Sequence, residues 1–290
     1  MPKPIREPHE SLIKINYAAI CNTDREVMSG YKNFKGILGH EFTGVAVESD
    51  EEALIGRRVV GELNLGCGKC EYCVTGQEKH CNVRNAVGIS GKDGCFAEYL
   101  TLPTRLLHII PDGMPDETAI FTEPLAAAVN AVTQSGVKED ESALILGDGR
   151  LAYMIYLALL GKTPDISVLG LSADKLKTFS NAEKLTETDR KYNVVFEATG
   201  SANGLPEAIT RVKPCGRIIL KSTVAETTAI HASDIVVNEI TVIGSRCGDF
   251  TAALKLLQNP PAPLPEIEMF PPSRFKEAFA SKAFKSGFKF

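Results

Sequence analysis

The sequence lacks the long apolar runs and the basic patches that mark several classes of protein. Within its 290 residues, no run approaches the roughly 18 apolar residues that a membrane span requires. The opening MPKPIREPHE has no apolar core of the secretory type. The net charge is -4, with acidic and basic residues interspersed, which argues against a nucleic-acid partner. We therefore expect a cytoplasmic protein that binds neither membrane nor nucleic acid.

The most basic stretch is the tail RFKEAFASKAFKSGFKF, in which Phe275 and Phe279 are four residues apart. This spacing places both rings on one face of a helix. Such a helix could lie on a membrane surface or pack on the body of the protein, and the solvated lysines beside it fit either arrangement. We favour the packed helix.

The predicted secondary structure changes near residues 113 to 122. The first hundred residues contain short apolar segments broken by Gly and Asp, such as SLIKINYAAI and RRVVGEL, which favour a β-rich barrel or sandwich. Later, apolar strands such as DISVLGL and YNVVFEATG alternate with helical stretches such as TEPLAAAVNAVTQSG. This alternation predicts a doubly wound parallel sheet. The length of the chain also favours two domains.

A glycine motif opens the second region. Gly147, Gly149 and Ala152 form G-x-G-x-x-A between an apolar strand and an apolar helix. The first glycine permits a tight turn, the second lets a pyrophosphate approach the backbone, and the small third residue lets the helix pack on the strand. The motif in this context predicts a dinucleotide site, although a purely structural turn is the alternative.

The residues after the next strand bear on which dinucleotide is bound. NAD sites usually carry an acidic residue there for the ribose 2′-hydroxyl, but this chain has Gly170, followed by Ser172 and Lys175. Without an acid to repel a 2′-phosphate, and with a hydroxyl and a cation nearby, NADP(H) is favoured over NAD(H). The alternative is that Ser172 only caps the following helix and that Lys175 is only a solvated side chain.

Four of the eight cysteines are clustered, with the spacing C-x2-C-x2-C-x7-C at Cys67, Cys70, Cys73 and Cys81. Four thiolates can close a tetrahedron around one zinc ion and leave no position for substrate, so this site is structural. An iron-sulfur cluster is the rival, but the ferredoxin pattern has a last gap of three residues and a following proline. A loop without metal remains open as well.

A sparser set lies nearer the start of the chain. Cys21, Thr23 and Asp24 end one apolar segment, and His40 and Glu41 begin another. Each residue alone has an ordinary explanation, because cysteine is often buried for packing and the polar groups can be solvated. The other cysteines, Cys95, Cys215 and Cys247, are expected to be buried small residues.

Taken together, these motifs resemble the zinc-containing alcohol and polyol dehydrogenases of the medium-chain dehydrogenase/reductase superfamily. The resemblance covers nearly the whole chain in order, through CNTD, GHEFTG, the four-cysteine loop, GKDGCFAEYL, EPLA, LGDGRLA and VVFEATG. It implies an α/β protein with a GroES-like β-barrel catalytic domain over residues 1–116, which carries the zinc loop 67–81. A Rossmann domain then spans 117–258, and 259–290 return to the catalytic domain. The family places its active site between the two domains.

The resemblance also implies two zinc ions per chain. Cys21 and His40 would bind the catalytic zinc, with Glu41 or Glu123 as a further ligand and an open position for water or substrate. Which glutamate binds directly is left open by the sequence.

The family's remaining roles fall on named positions of this chain. Asp24 would orient His40, and Thr23 would hydrogen-bond the substrate hydroxyl and begin a proton relay. Thr199 would contact the cofactor. Zinc would act as a Lewis acid on the substrate oxygen while hydride passes to the nicotinamide.

The resemblance leaves substrate and assembly open. We expect oxidation of a secondary alcohol, polyol or sugar hydroxyl, or reduction of the corresponding carbonyl, with a glucose- or threonine-type dehydrogenase as the alternative. Asn22 replaces the glycine usual in the family, and a closing strand is expected to be missing at GFKF. These departures leave a non-catalytic nucleotide-binding scaffold or sensor as an alternative of another class. The family suggests a homodimer or homotetramer.

Overall fold

The computed structural model describes residues 2–224 and 226–290 and divides into two compact units. The first unit comprises Met1–Glu123 and Pro265–Phe290, and the second comprises Pro124–Leu264. The sequence-based boundaries after residues 116 and 258 thus lie several residues before those of the compact units. No helix in the described residues is long and apolar enough to cross a membrane.

Short strands dominate the first part of the chain. They are β1 (Glu10–Ala19), β2 (Glu41–Glu48), β3 (Arg58–Gly61), β4 (Asn64–Leu65), β5 (Asn85–Val87), β6 (Gly91–Lys92), β7 (Tyr99–Pro103) and β8 (Leu107–Ile109). The helices here are α1 (Asn22–Met28), α2 (Glu71–Val74) and α3 (Asp116–Ala119). Short 3-10 helices cover Tyr31–Asn33, Glu52–Leu54, Glu78–His80 and Thr104–Leu106.

Strands and helices then alternate. The elements are α4 (Thr122–Ser135), β9 (Ala143–Leu146), α5 (Arg150–Leu159), β10 (Ile166–Leu169), α6 (Ala173–Leu176), β11 (Glu183–Leu185), β12 (Tyr192–Glu197), α7 (Gly204–Arg211), β13 (Val212–Leu220), α8 (Ala232–Val237), β14 (Thr241–Gly244) and α9 (Phe250–Gln258). The C-terminal elements are β15 (Ile267–Phe270), a 3-10 helix (Pro272–Arg274), α10 (Phe275–Ala280) and β16 (Lys285–Lys289).

Strand β1 is the centre of the first unit. It pairs with β2, β7 and β16 in a sheet whose main order is β15-β16-β1-β2-β3-β8. Leu12, Ile13 and Ile15 are at most 1% exposed, so side chains on both faces of β1 are buried. Lys14 is the one exposed residue of this strand. A separate small sheet, β4-β5-β6, adjoins the cysteine loop in sequence.

The second unit contains the predicted doubly wound sheet. Its order is β11-β10-β9-β12-β13-β14 with all pairs parallel, which is 3-2-1-4-5-6 when β9 is counted as the first strand. This is the Rossmann order, in which ligands bind beyond the carboxyl ends of the strands where the order reverses. The fully buried β9, with the sequence ALIL, lies at that reversal.

The tail differs from the sequence-based expectation. The predicted helix is limited to Phe275–Ala280, and the following residues form β16 instead. Strand β16 pairs antiparallel with β1 and parallel with β15, and Phe288 joins a buried apolar cluster with Ile20 and Phe270. Phe275 and Phe279 both lie in α10, as their spacing predicted, and only the later residues differ, because sheet hydrogen bonds and burial hold them in a strand. The expectation that a closing strand is missing was therefore wrong.

A second correction concerns the isolated cysteines. Cys95 is buried as expected, but Cys215 is exposed and Cys247 is only partly buried. Cys215 has a positive φ of 59° and lies where the pairing of β12 with β13 is irregular. The chain there turns outward, so a small apolar residue is not enclosed.

Candidate metal centres and cofactor site

The four-cysteine loop brings its thiols together around one point. The sulfur atoms of Cys67, Cys70, Cys73 and Cys81 all lie within 4.8 Å of one another, and all four cysteines are free. Cys73 Sγ is 3.9 Å from Cys67 Sγ and 3.5 Å from Cys70 Sγ. A zinc ion with Zn–S bonds of about 2.3 Å holds sulfurs about 3.8 Å apart in a tetrahedron, whereas a disulfide needs about 2.05 Å. The loop fits a zinc ion and not a pair of disulfides.

The backbone of the loop also favours a thiolate. Hydrogen bonds from the backbone N–H groups of Lys69 and Cys70 lower the pKa of Cys67 to about 6. Burial and the neighbouring Cys70 thiol raise the pKa of Cys73 to about 12. One negative charge is therefore stabilised by the chain itself, while further thiolates need a cation among them. A bound zinc ion would supply that cation.

A second group of potential ligands lies where β1 ends and β2 begins. Cys21 precedes α1, His40 precedes β2, and Glu41 is the first residue of that strand. One ligand atom from each residue lies within 4.8 Å of the others. Thiolate, imidazole and carboxylate are the donors found in catalytic zinc sites, which keep one position open. His40 is only 3% exposed, so its imidazole is held inside the unit beside these donors.

Asp24 connects the two halves of this group. Its carboxylate accepts hydrogen bonds from the backbone N–H of Cys21 at 2.7 Å and of Gly39 at 3.2 Å. Its Oδ1 also lies 3.3 Å from Nδ1 of His40. Asp24 is completely buried, so its charge is poorly screened. It thereby fixes the positions of both Cys21 and His40, and leaves Nε2 of the histidine for a metal.

The pKa of His40 reports the same negative surroundings. Burial by itself lowers the pKa, but the Asp24 carboxylate and the Cys21 sulfur favour a positive charge, and the net effect raises the pKa well above its ordinary value. The centre therefore attracts a cation, whether a proton or a metal ion.

Three glycines allow the segments behind His40 to approach closely. Gly39 has a φ of +93°, and a Cβ there would lie 2.5 Å from the Phe96 ring and 2.8 Å from Cys95 Sγ. A Cβ on Gly88 would lie 2.4 Å from Gly39 O, and one on Gly94 only 2.2 Å from it. No residue larger than glycine fits where these three segments meet. Their close approach fixes the position of the backbone that carries His40.

Glu41 has a partner that the sequence analysis missed. The ammonium group of Lys285 in β16 contacts its carboxylate, and both residues are at most 2% exposed. No local pattern in KSGFK marks this lysine as buried, and it was assigned with its neighbours to a solvated helix. Glu123, in the first turn of α4, is partly buried and is not part of the Cys21 group.

Thr23 lies beside the same centre. Its Oγ1 is 3.7 Å from Cys21 Sγ, and the residue is partly exposed in the first turn of α1. A hydroxyl can donate and accept hydrogen bonds at once. Thr23 can therefore pass a proton between a molecule at the open position and water.

In the second unit, the glycine motif forms the turn between β9 and α5. Gly147 has a φ of +116°, and a Cβ there would lie 2.6 Å from Ala198 O. A Cβ on Gly149 would meet no atom within 4 Å, so the backbone there is open to a ligand. Ala152 is completely buried. The turn therefore leaves the N-terminus of α5 accessible to a pyrophosphate.

The end of β10 is more acidic than its sequence indicates. A Cβ on Gly170 would lie 2.6 Å from Cβ and 2.8 Å from Oδ2 of Asp148, the variable residue of the glycine turn. The backbone N–H of Ser172 donates to Asp148 Oδ2 at 2.7 Å, and Lys175 Nζ lies 3.8 Å from its Oδ1. Ser172 also caps α6 by accepting from the N–H of Lys175. The premise that no acid lies near Gly170 was wrong, because a carboxylate from the preceding turn occupies this space.

Thr199 lies at the end of β12, beside a buried carboxylate that the sequence analysis did not single out. Its N–H and hydroxyl both donate to Oε1 of Glu197, at 2.9 and 2.6 Å. Ser222 donates to the same carboxylate through its N–H and hydroxyl, at 3.2 and 2.8 Å. Glu197 is completely buried and thus joins the loops that follow β12 and β13 at the carboxyl end of the sheet.

Comparisons with known proteins agree with this architecture. The family described as the alcohol dehydrogenase GroES-like domain matches residues 7–112. An erythritol/L-threitol dehydrogenase from Mycolicibacterium smegmatis is 27% identical, with 94% of this chain and 87% of the relative covered. An L-threonine 3-dehydrogenase from Chelativorans sp. is 33% identical, with 76% and 71% covered. The crystal structure of 2R,3R-butanediol dehydrogenase from Bacillus subtilis superposes with a TM-score of 0.87 at 24% identity, over 100% of this chain and 95% of that one.

The chain belongs to the zinc-type alcohol and polyol dehydrogenases of the medium-chain dehydrogenase/reductase superfamily. It is accordingly an oxidoreductase of the alcohol and polyol dehydrogenase class. The predicted family, the GroES-like plus Rossmann fold and the enzyme class are confirmed.

Proposed function

We propose that the chain transfers hydride between the carbinol carbon of a polyol or other secondary alcohol and a nicotinamide cofactor, at a zinc ion held by the Cys21 group. The observation that carries this proposal is the convergence of the partly buried Cys21 with the buried His40 and Glu41, with the Thr23 hydroxyl beside them. A scaffold without catalysis would have no use for a partly exposed thiol that shares one point with a buried imidazole and a buried carboxylate.

Each residue of this centre has a separate task. A zinc ion held there supplies positive charge that polarises the oxygen of the substrate. Asp24 keeps the Cys21 backbone and the His40 ring in place, and Thr23 receives the hydroxyl proton and passes it to water. Of the two glutamates, we assign the ligand role to Glu41, since Glu123 is outside the group.

We assign a second zinc ion to Cys67, Cys70, Cys73 and Cys81. Its four sulfur ligands leave no open position, so this ion stabilises the loop and takes no part in hydride transfer. The reduced thiols that both sites require favour a cytoplasmic location.

In the second unit, Gly147 and Gly149 would admit the pyrophosphate at the start of α5, and Thr199 belongs to the loop that would face the cofactor. Whether NADP(H), as the sequence suggests, or NAD(H) is preferred depends on the charges beside Gly170. Ser172 and Lys175 favour a 2′-phosphate, while Asp148 opposes it.

The substrate class is tested by a panel of alcohols. Erythritol, sorbitol, 2,3-butanediol, glucose and L-threonine are each incubated with NAD+ and NADP+, and the reduced cofactor is followed by its absorbance. We expect turnover of polyols and vicinal diols. Exclusive turnover of L-threonine, which the 33% identical relative makes the second candidate, would exclude the polyol assignment. No turnover of any compound by zinc-loaded protein would favour the scaffold.

We also propose that the chain forms a homodimer or homotetramer. Strand β14 is an edge of the six-stranded sheet, and Val242 within it is 38% exposed. Val236 and Val237 of α8 are more than 70% exposed. An uncovered strand edge beside exposed valines favours association with a second copy. Light scattering of the purified protein in solution measures the mass of the assembly directly. A mass of one chain at micromolar concentration would contradict the proposed association.

A further inference from the structure

The acidic side chain beside Gly170 comes from an unusual position. Strands β9 and β10 are parallel, with Leu146 opposite Leu169, so the turn after β9 lies beside the end of β10. Asp148 extends from that turn across to Gly170. Its carboxylate occupies the space in which a side chain at position 170 would begin. A residue larger than glycine at position 170 would displace it.

The carboxylate is fixed and still able to bind a ligand. The Ser172 N–H holds Oδ2 at 2.7 Å, and the side chain of Asp148 is 15% exposed. Two carboxylate oxygens accept about four hydrogen bonds, so this single N–H leaves acceptor positions unused. Lys175, whose Nζ lies 3.8 Å from Oδ1 of Asp148, has a side chain that is 57% exposed. Solvent screens its charge more than it screens that of Asp148.

In this type of sheet, the adenosine ribose of the cofactor lies beyond the end of the second strand, here β10, and a carboxylate from that strand binds its 2′-hydroxyl. We propose that Asp148 replaces this carboxylate from the glycine turn and selects NAD(H) over NADP(H). The 2′-hydroxyl donates to the carboxylate, whereas a 2′-phosphate brings a charge of about -1.5 to -2 against it. The inference rests on the proposed dinucleotide site and reverses the cofactor preference suggested by the sequence.

A purely structural role for Asp148 would be to hold the turn through the Ser172 N–H. Asp148→Asn separates the two roles, since the amide oxygen can still accept that hydrogen bond but carries no charge. Asp148→Ser serves as a second uncharged variant with a smaller side chain. Asp174→Asn is the matched control, because it removes an equal charge from α6 where the side chain is 90% exposed and pairs with Lys177.

The test is calorimetric binding of ADP-ribose and of its 2′-phosphate to the full zinc-loaded chain. These ligands lack nicotinamide, so the result does not depend on substrate or turnover. We expect the wild type to bind ADP-ribose at least about tenfold more tightly than the 2′-phosphate. Both Asp148 variants should reduce this ratio about tenfold, while Asp174→Asn should leave it unchanged.

Two kinds of result would overturn the inference. Equal or tighter binding of the 2′-phosphate by the wild type would show that Asp148 does not exclude it. An unchanged ratio in folded Asp148→Asn and Asp148→Ser would assign selection to other groups. Failure of either ligand to bind any folded form would instead refute the dinucleotide site itself, and the inference with it.

Discussion

The ammonium group of Lys285 contacts the carboxylate of Glu41 in the interior of the first unit, and both residues are almost inaccessible to water. The contact joins β16, near the C-terminus, to the first residue of β2, next to His40. Removing two charges from water is costly, and only their mutual attraction and hydrogen bonding offset this cost. The tail of the chain therefore acts directly on the proposed metal centre.

In the zinc-free protein, Lys285→Met should reduce the free energy of unfolding by about 3 to 5 kcal/mol, because it leaves the Glu41 carboxylate buried without a cation beside it. Urea unfolding measures the change. Lys289→Met on the same strand is the control, since that lysine is exposed and should contribute less than about 1 kcal/mol. Equal unfolding midpoints for the two variants would mean that the buried pair does not stabilise the fold.

The two proposed zinc ions should be separable by mutation. Cys21→Ser should retain one zinc ion per chain, keep the fold and abolish hydride transfer. Cys70→Ser should also lose one ion, but mainly destabilise the loop around Cys67, because a structural zinc supplies folding free energy. Metal analysis of purified protein gives the counts. A wild-type content of one zinc ion that survives Cys21→Ser would refute the catalytic centre.

The two glutamates should respond differently to the same substitution. Glu41→Gln should weaken catalytic zinc binding by about tenfold or more, since a charged ligand is replaced by a neutral amide. Glu123→Gln should leave the zinc content unchanged, because Glu123 is not part of the group. Competition with a chromogenic chelator measures both affinities. The opposite order of effects would move the ligand role to Glu123.

Much of the architecture could be predicted from the sequence because its signals are local. The glycine turn, the apolar strands around it and the four-cysteine spacing each lie within a short segment, and the Rossmann order and the cysteine cluster follow from them. Cys21 and His40 could be paired only through the family resemblance, because 18 residues separate them in the chain.

Contacts between segments that are distant in the chain could not be predicted from the sequence, nor could contacts of segments whose secondary structure was predicted wrongly. Lys285 looked like a solvated residue of a helix until β16 paired with β1 and buried it. Asp148 looked like a variable residue of the glycine motif, and its proximity to Gly170 depends on the parallel register of β9 and β10. In both cases, the pairing of strands determines which charged side chain lies beside the proposed site: Lys285 beside Glu41, and Asp148 beside Gly170.

Thr23 can be tested without disturbing the metal. Thr23→Val keeps the shape of the side chain but removes the hydroxyl, so zinc content should be unchanged while kcat falls about 100-fold or more. Thr23→Ser restores a hydroxyl and should recover most of the rate. Steady-state kinetics at saturating cofactor provides the comparison. Full activity of Thr23→Val would place the proton relay on another group or on water.

Gly170→Asp is the usual substitution for strengthening NAD binding, but here it should destabilise the second unit by about 1 to 3 kcal/mol. Its Cβ would lie 2.6 Å from that of Asp148, and two carboxylates would share the same space. Gly170→Ala introduces the steric conflict without the second charge, so the difference between the two variants measures the repulsion. Thermal unfolding ranks them against the wild type.

The double variant Asp148→Gly with Gly170→Asp completes the argument. It removes the carboxylate from the turn and returns one to the end of β10, so stability should recover relative to Gly170→Asp alone. Preference for ADP-ribose over its 2′-phosphate should remain within about tenfold of the wild-type value, because one carboxylate again faces the 2′-hydroxyl. If Gly170→Asp alone were as stable as the wild type, the side chain of Asp148 would not occupy this space, and the two positions would be independent.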